Sequence, residues 1–69
     1  MTVRGTQIKT LRERRTLSQE ALATKAGIHR VTLADIERGA HQPTLDTLER
    51  LAKALKVPLV RLLDTRRTR

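Results

Sequence analysis

Gln19-Glu20-Ala21-Leu22-Ala23-Thr24-Lys25-Ala26-Gly27-Ile28-His29-Arg30-Val31-Thr32-Leu33-Ala34-Asp35-Ile36 reads as an amphipathic helix, a tight turn and a second amphipathic helix. Leu22, Ala23 and Ala26 recur at three-and-four spacing, the period of one helix face. Ile28 follows the turn, and Leu33 and Ile36 continue the apolar stripe. Ala23 is small where two steeply crossing helices must approach closely. Gly27 falls where the chain reverses, and there only glycine adopts a left-handed backbone without about 1–2 kcal/mol of strain. An ordinary αα-hairpin would share the periodicity, but Leu22, Ala23, Ala26, Gly27, Leu33 and Ile36 at fixed offsets are far more restrictive than a lone glycine turn. The pattern predicts a helix-turn-helix unit, whose second helix has the geometry to enter the DNA major groove.

Composition narrows the function classes. The chain has 69 residues, enough for one small domain. It has no cysteine, so neither a disulfide framework nor a thiolate metal site is available. The opening Met1-Thr2-Val3-Arg4 resembles no signal peptide, and no apolar run approaches the roughly 18 residues of a membrane span. A cytoplasmic location is expected. Fifteen Lys and Arg against seven Asp and Glu leave a net charge of +8, which attracts polyanions. Arginine outnumbers lysine eleven to four, favouring bidentate phosphate and base contacts. Aromatic residues are absent, which argues against binding single strands through stacked bases.

Outside the central stretch, Ile8 and Leu11 mark a first helix with a narrow apolar stripe. Ser18 suits the N-cap of the second, with Glu20 near its positive end. Gly39 is placed to stop the third helix, and Ala40-His41-Gln42-Pro43 reads as a loop. Thr44 caps a fourth helix with Leu45, Leu48, Leu51, Ala52 and Leu55 expected to face inward. Pro58 opens a short fifth helix carrying Leu59, Leu62 and Leu63. No strand alternation of useful length is present. The expected fold is all-α: one compact five-helix domain over residues 1–69, with its core at about 5–64 and a basic tail at 65–69.

Leu11-Arg12, Leu17 to Ala23, Gly27-Ile28, Ile36 to Gly39, Pro43-Thr44-Leu45 and Leu51 to Val57 together resemble the lambda-repressor/Cro-like helix-turn-helix family, often called the XRE family. The resemblance runs from helix one to helix five. It implies that the third helix, roughly His29 to Arg38, presents His29, Arg30, Val31, Ala34 and Asp35 to base edges. Arg30 suits guanine O6 and N7, or a phosphate; Val31 suits a thymine methyl. Asp35 suits cytosine N4 or an ion pair steering Arg30, the pair being favoured. His29 replaces the Ser or Thr that usually caps this helix in the family. Gln19 matches the family's phosphate-clamping glutamine, and Ser18, Thr32, Arg38, His41 and Gln42 are further candidates for the DNA backbone. Arg12 and Glu37 match a pair that bridges helix one to helix three.

An enzyme reading fares badly. Ser18, His29 and Asp35 supply triad residue types, but Ser18 is better explained as a cap, and so small a helical domain has little space for a sheltered pocket. His29 and His41 lack a sulfur partner, so neither a metal nor a cofactor is expected. The expected activity is sequence-specific binding of double-stranded DNA by a homodimeric repressor or autoregulator, on a near-palindromic operator. Val57, Leu59, Val60 and Leu63 are the candidates for its dimer contact. The alternative is an antitoxin or restriction–modification controller of the same fold, acting partly through a toxin or another protein partner.

Overall fold

A computed structural model describes residues 2–64; Met1 and the expected basic tail at 65–69 lie outside the described residues. Four α-helices follow a two-residue strand: β1 (Thr2–Val3), α1 (Gly5–Arg14), α2 (Gln19–Ala26), α3 (Arg30–Arg38) and α4 (Leu45–Leu55). A 3-10 helix (Leu59–Leu62) and a second strand, β2 (Leu63–Asp64), complete the order. The two strands pair antiparallel, Thr2 opposite Asp64 and Val3 opposite Leu63.

Local chemistry sets the helix ends. Ser18 is extended, and its Oγ accepts from the Ala21 N–H at 3.0 Å, starting α2. Thr44 does the same for α4, accepting from the Thr47 N–H at 3.2 Å. All four helices end in one Schellman arrangement, with a left-handed residue just past the last turn. Gly27 and Gly39 take that role after α2 and α3 at φ +70° and +81°. Thr16 and Lys56 take it after α1 and α4 at φ +53° and +59°, where no glycine announces it. In each case the following N–H reaches back five residues: Leu17 to Arg12, Ile28 to Ala23, Ala40 to Asp35 and Val57 to Ala52.

The core runs between the helices. Ile8 and Leu11 from α1, Leu22, Ala23 and Ala26 from α2, Leu33 and Ile36 from α3, and Leu48, Leu51, Ala52 and Leu55 from α4 are buried together with Leu62 and Leu63. Burying a leucine or isoleucine of this kind contributes about 1.5–3 kcal/mol. The all-helical architecture is therefore the expected one, with two differences. The fifth element is a single 3-10 turn, because Leu63 leaves it to pair with Val3 while Arg4 N–H bonds Leu62 C=O at 2.9 Å. Leu45 is not inward: as the first residue of α4 it is 57% exposed, ahead of the turn that meets the core.

Candidate nucleic-acid interface

Helix α3 has an anchored side and an outward side. Leu33, Ile36 and Glu37 are its buried residues. Opposite them, at offsets of three and four, stand Val31, Ala34, Asp35 and Arg38. Val31 is 52% exposed, an apolar group offered to whatever lies against the ridge. Arg30 is exposed at the start of the helix and Thr32 is half-buried on its flank. His29 is extended at the N-cap and its side chain makes no capping bond. The first amides of α3 thus keep their donors for a ligand, beside an exposed guanidinium and at the positive end of the helix dipole. Glu20, Ala23, Thr24, Ile28, His29 and Arg30 line a shallow groove between α2 and this end of α3.

Behind the ridge one carboxylate ties three helices. Glu37 accepts from Arg12 Nε at 2.7 Å and Arg12 Nη2 at 3.2 Å, a two-point pairing of α1 with α3. Arg12 Nη1 also donates to the Leu17 carbonyl at 2.8 Å. Gln19 Nε2 donates to Glu37 Oε1 at 3.0 Å, adding the start of α2. The Arg12 and Glu37 side chains are 10% and 3% exposed, so the pair is buried, and no buried side-chain polar atom of the described residues lacks a partner. Gly5 supports the same region. A Cβ there would overlap the Ile36 carbonyl oxygen and lie 2.9 Å from that of Glu37, so α1 approaches the end of α3 only because this residue has no side chain.

His29, Arg30, Val31, Ala34, Asp35, Thr32 and Arg38 lie on or beside one helix, with Ser18 and Gln19 at the start of α2 and His41 and Gln42 exposed in the loop after Gly39. Three expectations change. Asp35 pairs with Arg38, not Arg30: Oδ1 accepts from Arg38 Nη2 at 2.6 Å. Arg30 lies five positions away, about 140° around the helix, whereas Arg38 at three positions is a neighbour on the same side. Gln19 is not a free arm, because Glu37 holds its amide nitrogen; one N–H remains to donate to a phosphate. Leu63, expected at a dimer contact, is 9% exposed and paired with Val3, which leaves it little free surface, while Val57 and Leu59 are half-buried against the core. Val60, 53% exposed, is the one open apolar group of those four. Sequence reasoning missed Gly5 and the Gln19–Glu37 bond, since neither has a local signature.

No helix of the described residues is long and apolar enough to cross a membrane, and among those residues no three His, Cys, Asp or Glu gather to hold a metal ion. A family model described as helix-turn-helix matches residues 8–62. The immunity repressor protein of Bacillus phage phi105 is 51% identical over 57 residues, which cover 83% of this chain and 39% of that protein. The chain thus spans well under half of that repressor's length. The restriction-modification controller protein C.AhdI from Aeromonas hydrophila superposes with a TM-score of 0.84 at 34% identity, over 86% of this chain and 89% of that one. SinR of Bacillus subtilis, solved in complex with DNA, superposes with a TM-score of 0.83 at 36% identity, over 87% of this chain and 97% of that one.

Proposed function

This chain belongs to the helix-turn-helix family of Cro- and C1-like regulators, and on that premise we propose that it is a sequence-specific, double-stranded DNA-binding transcriptional regulator, a repressor or autoregulator. It is not an enzyme. The observation that carries the reading is α3 itself, anchored through Leu33, Ile36 and Glu37 while Arg30 and Val31 stand exposed at an uncapped helix start. Arg30 reads a guanine edge or grips a phosphate, and Val31 meets a thymine methyl. Gln19, held in place by Glu37, and the first amides of α2 fix the register on the backbone. Thr32, His41 and Gln42 flank that register.

The protein works as a cytoplasmic homodimer, with the exposed Val60 and its half-buried neighbours Val57 and Leu59 at the contact. Two-fold symmetry then calls for a near-palindromic operator with half-sites ~34 Å apart. The likeness to C.AhdI supports control of a restriction–modification operon as the second reading.

Selecting bound duplexes from a randomised pool tests the proposal. It should return one half-site in inverted repeat. On the recovered duplex Arg30→Ala should cost about 1–3 kcal/mol and relax one base position, while Gln19→Ala should weaken recovered and shuffled duplexes more evenly. Equal losses on every sequence would make Arg30 a phosphate ligand, and a pool returning no preferred sequence would end the proposal.

A further inference from the structure

The outward ridge of α3 carries a negative charge where a polyanion would lie. Val31, Asp35 and Arg38 follow one another at offsets of four and three, and Arg38 Nη2 is bound to Asp35 Oδ1 at 2.6 Å. Arg38 is 68% exposed, yet its charge is already engaged. Fold stability does not account for the aspartate. Asp35 stands in the last turn of α3, where the helix dipole disfavours an anion, and an exposed i, i+3 pair adds little to a fold. Nor does affinity for phosphate, since Asp35 repels phosphate and occupies a neighbouring arginine. On a chain of net charge +8, the residue is better explained by discrimination.

We propose that Asp35 is an electrostatic filter for sequence: it withholds Arg38 from the phosphates of non-matching DNA. It yields Arg38 only where a base presents an amino group in the major groove, cytosine N4 or adenine N6. Guanine and thymine offer acceptors at that edge, which repel the carboxylate and leave Arg38 with Asp35. A cytosine or adenine satisfies the carboxylate, and Arg38 turns to the adjacent backbone. This inference rests on the DNA-binding reading above and adds the base class read at one position.

Asp35→Ala and the near-isosteric Asp35→Asn test it, on the duplex the unaltered chain recovers from a randomised pool and on a shuffled duplex. Both variants should keep the thermal midpoint, because Asp35 is a surface residue. Both should bind the shuffled duplex about twofold more tightly, the size of an exposed pair's hold on Arg38. The log–log salt slope on the shuffled duplex should steepen by ~0.9, one more phosphate neutralised. In Asp35→Ala, preference for cytosine or adenine at one position should fall by about fivefold or more, whereas in Asp35→Asn, whose amide oxygen still accepts, adenine should be retained. Adding Arg38→Ala to Asp35→Ala should cancel the extra slope. An unchanged slope on the shuffled duplex, or equal weakening on both duplexes, would overturn the filter while leaving DNA binding intact. An unaltered chain with no preferred sequence would remove the DNA reading and the filter together.

Discussion

On its inner side α3 offers Glu37 to Arg12, and on its outer side it offers Asp35 to Arg38, so one nine-residue helix carries two arginine–carboxylate pairs in opposite surroundings. The inner pair is dry, doubly bonded and joined by Gln19. Removing one partner strands a buried charge. The outer pair is wet and single-contact, and water replaces either partner at little cost. The same chemistry therefore holds the helix at the back and stays exchangeable at the front. That division suits a helix that must be fixed to the body while its outer groups change partners.

The comparison can be broken most sharply at Glu37. Glu37→Ala leaves the Arg12 guanidinium buried with only the exposed Glu13 carboxylate, 4.0 Å away, as a counter-charge, and denaturant unfolding should show a loss of about 3–5 kcal/mol. A loss below ~1 kcal/mol would mean that the inner pair is no more structural than a surface one. Gly5→Ala comes next. Its methyl group would meet the Ile36 and Glu37 carbonyls, so α1 or α3 must move, with an expected cost of about 1–3 kcal/mol in the same assay. A neutral result would show that the end of α3 is free to shift. The smallest effect belongs to the front. A double-mutant cycle on Asp35 and Arg38 should give a stability coupling of about 0.2–0.5 kcal/mol. A value near that of the inner pair would erase the distinction between the two faces.

Much of the scaffold was legible because its causes are local. Ser18 and Thr44 cap helices through amides three residues away, and Gly27 and Gly39 mark left-handed turns by their residue type. The apolar stripe through Leu22, Ala23, Ala26, Leu33 and Ile36 follows from helical period alone, and all five residues are buried. What escaped has distant or unsignalled causes. Thr16 and Lys56 adopt the left-handed turn without glycine, because the six-residue hydrogen-bonded closure around each outweighs local preference. The 3-10 turn at Leu59–Leu62 is decided by Val3, at the other end of the chain. Gly5 has an ordinary backbone, and its reason is a carbonyl on another helix. At the interface, residue types and their outward placement were readable from the stripe. The partner of Asp35 was readable as well, since three positions put Arg38 beside it and five put Arg30 about 140° away; the expectation of Arg30 overlooked that spacing.

The antiparallel pairing of Val3 with Leu63 also bears on how the polypeptide could be rewired. Neighbouring strands run about 5 Å apart, so a peptide of a few residues would bridge Asp64 to Thr2 without stretching. New termini could then open in the exposed stretch Ala40–Gln42, between α3 and α4. Such a circular permutant would keep every core residue and the Arg12–Glu37 joint, while the anchored helix became the last element synthesised rather than the middle one.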